Sequence, residues 1–201
     1  MIDRSKFWIV KPNSNIPILE EVERTQQKQR QVSLGYVNSF RNCLDIGSHV
    51  GFWTRDLAEK FSVVHCFEPN HRFIKCFEKN IQDEKVWLHK VALHEQETYV
   101  TQDPNSTVCI TDPGNIFCKP LDSFMFTDVD FIKIDVDGFE HHVLRGAEQT
   151  LKANNPVINI ELKPEKSTQR SKNVQWCRAF LDKLGYKFCE TVKHDEIYLK
   201  R

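Results

Sequence analysis

Hydrophobic and polar positions change rhythm along this chain, and the changes separate strands from helices. Cys43-Leu44-Asp45-Ile46 predicts a short strand that runs into Gly47-Ser48-His49-Val50-Gly51. Trp53, Leu57 and Phe61 then recur at a spacing of four, which puts them on one helical face. Ser62 to Phe67 predicts the next strand. Asn70 suits the cap of a helix whose inner face is Phe73, Ile74, Phe77 and Ile81. Val86-Trp87-Leu88-His89 reads as a third strand. The nearly continuous apolar run Phe131–Val136 suits a central parallel strand, which is buried on both faces. A helix over 139–152 presents Phe139, Val143, Leu144, Ala147 and Leu151. The segment 156–162 is again a strand. A helix over 173–184 carries Val174, Trp176, Cys177, Phe180, Leu181 and Leu184, and Gly185 can end it. Two last strands, near Tyr186–Val192 and Glu196–Leu199, can pair antiparallel.

Strands alternating with helices predict an α/β fold: a mostly parallel sheet, helices on both faces, right-handed crossovers. Outside this core the pattern weakens. Residues 1–16 read as irregular, with Pro12 and Pro17 as interruptions. Residues 18–34 read as one charged helix with a thin apolar stripe (Leu19, Val22), which would lie over the domain or form part of a lid. The segment 94–120, rich in Thr, Asp, Pro and Asn, could hold a hairpin of unreadable register. The division expected is an N-terminal arm and helix at 1–40 and one domain at 41–201.

Composition narrows the function. Of 201 residues, 40% are hydrophobic and 28% charged, unlike a disordered chain. Lys and Arg number 28, as do Asp and Glu, so a nucleic-acid coat is disfavoured while a local basic groove stays open. No apolar run approaches the ~20 residues of a membrane span, and the first residues lack a signal-peptide segment. A cytoplasmic setting without membrane insertion is the expectation. The seven cysteines show no CxxC spacing, so buried free thiols are expected rather than disulfides or a zinc site.

The candidate chemistry begins at Gly47. A glycine where a strand becomes a helix lets the backbone turn and approach a ligand, although a plain tight turn uses the same residue. Ser48 and Gly51 share that loop. Glu68 ends the second strand, where an acid accepts hydrogen bonds from ribose hydroxyls in nucleoside-binding folds; the alternative is a carboxylate at a helix start. His49 occupies the place of the second glycine of GxGxxG and would crowd a pyrophosphate. A nucleoside ligand without phosphate, such as S-adenosylmethionine, fits better.

The chain resembles the FkbM-like family of class I S-adenosylmethionine-dependent methyltransferases. The resemblance runs over about residues 40–165. It rests on Leu44-Asp45-Ile46-Gly47-Ser48-His49-Val50-Gly51, Phe67-Glu68-Pro69-Asn70, Val91-Ala92-Leu93, Pro120-Leu121-Asp122, and most of all on Ile132-Lys133-Ile134-Asp135-Val136-Asp137-Gly138-Phe139-Glu140, with Val143-Leu144-Arg145-Gly146 and Ile158-Asn159-Ile160-Glu161 after it. Asp137 stands where the family usually has Glu. The resemblance implies a Rossmann-like, seven-stranded sheet with one antiparallel strand. It implies that Asp45 and Gly47 line the methionine moiety, that Glu68 (with Pro69 beside it) holds the ribose, and that the region of Ala92 borders the adenine. It also implies O-methylation of a sugar, glycan or small metabolite.

Strand alternation puts Asp135 and Asp137 on one side at the carboxyl end of a parallel strand, where open sheets bind ligands. With Glu140, these acids could orient a hydroxyl, take its proton or bind a divalent cation. Asp137 and Glu140 also have the form of a capping box. Glu161 ends an apolar strand and is expected to face the cleft near Asp135 or to pair with Lys133 or Lys163. His49 could touch the cofactor or the acceptor. The candidate catalytic set is therefore Asp135, Asp137, Glu161 and His49, with Asp135 also near the cofactor and no obligatory metal. The competing readings are RNA ribose 2'-O-methylation, which the lysine-free helix 139–150 and zero net charge disfavour, and a non-catalytic S-adenosylmethionine-binding protein. A monomer or a homodimer is compatible with the sequence.

Overall fold

The computed structural model describes residues 6–11, 16–21, 26–102, 109–110, 114–163 and 168–200. In chain order the elements are β1 (Lys6–Ile9), β2 (Ile18–Glu21), α1 (Gln27–Leu34), β3 (Asn42–Ile46), α2 (Phe52–Ala58), β4 (Val63–Phe67), α3 (His71–Asn80), β5 (Val86–His89), β6 (Ala92–Leu93), β7 (Thr98–Gln102), β8 (Cys109–Ile110), β9 (Ile116–Lys119), a 3-10 turn (Leu121–Phe124), β10 (Val129–Ile134), α4 (Glu140–Arg145), α5 (Glu148–Asn154), β11 (Val157–Glu161), α6 (Thr168–Lys183), β12 (Lys187–Val192) and β13 (Asp195–Leu199).

Seven strands form the main sheet in the order β12-β13-β11-β10-β3-β4-β5. β13 runs antiparallel to both neighbours, β11 and β12. The remaining pairs are parallel. The chain winds outward from β3 through β4 to β5, then returns to the other side of β3 with β10. That reversal opens a crevice at the carboxyl ends of β3 and β10, where open α/β sheets bind ligands.

The alternation of strand side chains builds two cores. Leu44, Ile46, Ile132, Ile134, Ile158 and Ile160 pack with Val143, Leu144, Leu151 and Leu181 under α4–α6. Cys43 and Phe131 pack with Leu34, Trp53, Leu57 and Phe61 under α1 and α2. The strand period of two then places Asp45, Lys133 and Asn159, all buried, on the α1–α2 face. That face is apolar at its base and polar towards the carboxyl ends.

This polar stripe explains α1. Its buried positions are Gln29, Arg30, Ser33 and Leu34, mostly polar. The Ser33 hydroxyl accepts from Asn159 Nδ2 at 2.9 Å and donates to the Gln29 carbonyl at 2.8 Å. Arg30 pairs with Asp56 and lies over the Trp53 ring. The shorter helix Gln27–Leu34 does cover the domain, seated on polar partners.

Four sequence expectations are corrected. The helix expected over 18–34 is a strand at Ile18–Glu21 and a helix only from Gln27; Val22, Glu23 and Arg24 lie outside the described residues. The irregular start holds β1, which pairs antiparallel with β2. Asn80 ties that pair down, accepting from the Trp8 N–H at 2.6 Å and donating to the carbonyls of Trp8 and Val50. The single helix over 139–152 is two, α4 and α5. Gly146 at the break passes so close to the His94 carbonyl oxygen that a Cβ would lie 2.2 Å from it. The capping box does not form, because Asp137 stands before the helix with φ 50 and makes no cap bond.

The Asn70 cap is present, its Oδ1 accepting from the Arg72 N–H at 2.9 Å. The described strands β6–β9 form a small second sheet, with β7 antiparallel to β9 and β6 parallel to β9. Among the described cysteines six are free, five of them buried.

Candidate active site

Gly47 is where sequence dictates the site most directly. Its φ is +75, and a Cβ there would sit 1.9 Å from the carbonyl oxygen of Asp135. The backbone crossing from β3 therefore touches the end of β10, and only glycine fits. The amides of Gly47 and Ser48 donate to the Phe67 carbonyl at 3.0 and 3.1 Å, which holds the loop over the end of β4. His49, Gly51, Asp137 and Gly138 also have positive φ, so left-handed backbone is concentrated around the crevice.

Glu68 follows β4 directly and is buried. Its Oε2 accepts from the His49 N–H at 3.0 Å and its Oε1 from the Asn70 N–H at 2.8 Å. Burial raises its pKa to about 7, although both backbone donors pull the other way. A carboxylate has about four lone-pair positions. Two are used here, so one on each oxygen stays available to a ligand.

The polar stripe ends in a cluster of acids and lysines. Lys133 and Asp45 are register partners on adjacent strands, with Nζ 3.2 Å from Oδ1. The same ammonium donates to the carbonyls of Ile46 and Gly47 at 3.2 and 2.6 Å, and Asp45 Oδ2 accepts from the Thr54 hydroxyl at 2.6 Å. Burial works against the ammonium, but Asp45 and Asp135 outweigh it and raise its pKa.

Asp135 lies two residues on and falls below the usual carboxylate range. Burial opposes this; Lys133, a hydrogen bond with Glu161, Gln26 and Lys163 prevail. Glu161 is pushed up to about 7, first by burial and then by the charge of Asp135, against the pull of Lys163, whose Nζ is 2.7 Å from Oε2. The two acids thus form an unsymmetrical pair: Asp135 ionised, Glu161 holding a proton near neutrality. Asp195, opposite Glu161 in the sheet, rises to about 6 through burial and Asp135.

A cavity of about 310 Å³ gathers these groups. Its wall includes Gly47, Ser48, His49, Glu68, Pro69, Ala92, Asp135, Asp137 and Glu161 from the expected set, with Lys133 and Lys163 beside them. Two expected cofactor residues stand elsewhere. Asp45 is wholly buried beneath the loop and acts on it through Lys133. Gly51 caps α2 against Ile81 and Phe77. Glu161 pairs with Lys163, whereas Lys133, the other partner considered, belongs to Asp45. His49 packs on Phe73 with ring centroids 4.0 Å apart; burial, then Lys133, lowers its pKa to about 4, so it is a neutral imidazole.

Gln26, Lys133 and Asp195 were not singled out for chemistry by the sequence reading. A lysine inside an apolar strand does signal a buried partner, and the register supplies Asp45. Gln26 gives no comparable signal, since it enters from another part of the chain. Asp135, Asp137 and Glu161 could each offer a cation a ligand atom within 4.8 Å of the others, as could His94, Glu95 and His142, which lie outside the cavity wall beyond Phe139.

Residues 111–188 match the family model described as the methyltransferase FkbM domain. Over that stretch, which is less than half of the chain, the sequence is similar to FkbM-family methyltransferases. The match takes in Asp135, Asp137 and Glu161, while the glycine loop and Glu68 lie before it. No match is found among curated proteins.

Solved structures agree on the fold. Methyltransferase FkbM from Methylobacillus flagellatus KT aligns over 82% of this chain with a TM-score of 0.58 and 16% identity. The chain spans 45% of that relative's length. An rRNA methylase from Streptococcus thermophilus aligns over 90% of this chain and 99% of its own, with a TM-score of 0.57 and 12% identity. Precorrin-6y C5,15-methyltransferase from Geobacter metallireducens GS-15 gives 94% and 96%, a TM-score of 0.54 and 12% identity. The chain thus shares a class I methyltransferase fold with these structures. Among its described residues, no helix is long and apolar enough to cross a membrane.

Proposed function

We propose that this FkbM-type chain is an S-adenosylmethionine-dependent O-methyltransferase acting on a hydroxyl of a sugar, glycan or small metabolite. The observation that carries the reading is the Asp135–Glu161 pair on the wall of the cavity that also exposes Gly47 and Glu68. The cofactor fits what is there. The glycine crossing keeps the loop thin, Glu68 has an acceptor position free on each oxygen, and the His49 ring occupies the cavity wall beside them. Glu68 would hold the ribose hydroxyls, Gly47 and Ser48 the methionine end, and Pro69 and Ala92 the side towards the adenine. S-adenosylmethionine supplies an electrophilic methyl group when bound.

The chain supplies alignment and a proton acceptor. Asp135, held ionised by Lys133, accepts a hydrogen bond from the acceptor hydroxyl and takes its proton as the oxygen attacks. Glu161 stabilises Asp135 beforehand by donating to it. Asp137 and the neutral His49 border the same space and would orient the acceptor. Lys133 and Lys163 already supply positive charge to the acids, so direct carboxylate assistance is favoured over an obligatory divalent cation.

Methyl transfer from labelled S-adenosylmethionine to a panel of glycans, metabolites and RNA, with and without Mg²⁺, tests the reading. Asp135→Asn should lower turnover about 10²-fold or more while cofactor affinity changes far less. Normal turnover by this variant would remove Asp135 from the chemistry. A loss of turnover that follows Mg²⁺ would install a metal in its place.

Transfer to RNA is the second reading. The rRNA methylase from Streptococcus thermophilus supports it, as does the Asp135–Glu161 pair with Lys133 alongside. Methylation confined to RNA ribose would select it, and cofactor binding without transfer would leave a binding protein.

A further inference from the structure

We propose that Gln26, in the arm that precedes the sheet, is a positioning residue for Asp135, so that the arm completes the catalytic site. The proposal rests on the reading of Asp135 as proton acceptor. Gln26 sits at the N-terminal boundary of α1 with φ 57 and ψ 19, left-handed backbone that is uncommon for a residue with a side chain. Helix caps are normally extended and use a short side chain to hold the first amides. Gln26 does neither, and makes no side-chain cap bond.

The side chain reaches into the cavity instead. Its Oε1 accepts the indole N–H of Trp53 at 2.7 Å. An indole can only donate, so the amide cannot be turned over. Its NH₂ group must then point away from Trp53, and Nε2 lies 3.4 Å from Asp135 Oδ2. One buried aromatic ring thereby orients a donor towards the reacting carboxylate.

The arm that brings Gln26 is seated on the site as well. Ser33 receives a hydrogen bond from Asn159, two residues before Glu161 on the same strand face. Arg30 pairs with Asp56 and lies over Trp53. A shift of α1 would move the Gln26 amide, the Trp53 contact and the cover over β11 together.

Other groups act on Asp135 from every side: Lys133 on its own strand, Glu161 and Lys163 at the end of β11, Asp195 from β13, Asp137 and Glu140 from the following loop and α4, and His49 from the glycine loop. Gln26 differs from all of these in adding a directed donor that carries no charge at any pH, whereas protonated Glu161 donates only until it titrates at about 7. It can fix the rotation of the Asp135 carboxylate without neutralising it.

The test uses the full chain and nitrogen-labelled tryptophan. The sequence has four tryptophans, and Trp53→Phe assigns the Trp53 indole signal among them. In the unsubstituted protein that signal should move as the Asp135–Glu161 pair titrates between pH 5 and 9. Gln26→Ala should abolish this movement, with the other indole signals in place as evidence of folding. Gln26→Glu keeps an acceptor for Trp53 but puts a negative charge beside Asp135, so the titration should shift upward by roughly half a unit or more. On an identified acceptor, both variants should lose roughly tenfold in turnover, with cofactor affinity changed less than about threefold. A Trp53 signal that ignores pH in the parent, or titrates identically in Gln26→Ala, would overturn the proposal, as would full turnover by both variants. The nuclear resonance result needs no acceptor. Coupling seen without any methyl transfer would therefore overturn only the methyltransferase reading.

Discussion

Glu68→Gln isolates the proposed ribose contact. In the native loop both carboxylate oxygens are used on the protein side, one by the His49 amide and one by the Asn70 amide, and each keeps one free acceptor position. Glutamine is nearly isosteric but has a single acceptor oxygen. It can keep one backbone donor and one ribose hydroxyl; its NH₂ group meets the other backbone amide as a second donor. At least one hydrogen bond to a charged group is lost to the ligand, worth about 1.5–3 kcal/mol, so affinity for S-adenosylmethionine should fall about 10- to 150-fold. The pH dependence gives a second signature. Burial raises the Glu68 pKa to about 7, and two ribose hydroxyls bound as proposed would stabilise its ionised form. Binding below pH 7 must then release a proton. Affinity should rise with pH, by at most about tenfold per unit, and level off above 7. Calorimetry at pH 6 and pH 8 on parent and variant reads both effects. Equal affinity in the two proteins, or a parent affinity that falls as pH rises, would refute the ribose role of Glu68.

Other outcomes follow from the same geometry. Lys133→Met leaves the buried Asp45 carboxylate without its ammonium, and urea unfolding should show a loss of about 3–5 kcal/mol; a loss under about 1 kcal/mol would show that Thr54 alone satisfies Asp45. Gly47→Ala must move the end of β10, because its Cβ would lie 1.9 Å from the Asp135 carbonyl, and thermal unfolding should report at least about 3 kcal/mol of destabilisation. Glu68 and Glu161 keep their protons in the fold up to about pH 7, whereas the unfolded chain loses them near the ordinary value of 4.5. Their contribution is fully present below that value and lost as pH rises towards 7. Other shifted groups, such as Asp195 at about 6 and His49 at about 4, act on parent and variant alike, so the fall should appear in the difference in unfolding free energy between the ligand-free parent and the Glu68→Gln, Glu161→Gln chain; a difference that does not change between pH 4.5 and 7 would refute it.

The central sheet was legible because its signals are local. Phe131–Ile134 and Val157–Glu161 declare buried strands by composition alone, and the glycine after β3 declares the crossing. Asp135 and Glu161 were legible for the same reason, since strand alternation sets their side; Asp137 lies past the end of β10 in left-handed backbone, so the alternation expected to place it does not reach it. Long-range partners were not legible. Nothing near Asp45 in the sequence announces Lys133, and nothing near Gln26 announces Asp135. The arm misled most: 18–34 has a helix's spacing of apolar residues, yet β1 offers Ile18–Glu21 a strand partner and tertiary pairing overrides the local pattern. The break at Gly146 was hidden likewise, because the His94 carbonyl that presses on it comes from a distant turn.

The polar seam under α1 also bears on how such a chain can be made. Ser33 and its partner Asn159 are 126 positions apart. On a ribosome the arm emerges well before the strand that seats it. For that interval α1 has no surface to cover. A helix with a broad apolar face would spend the wait exposing it, and exposed apolar surface on incomplete chains drives aggregation. Gln29, Arg30 and Ser33 can stay hydrated until β11 has joined the sheet. The same residues that weaken the helix as a sequence signal make the earlier-made of the two partners the one best able to remain unpartnered.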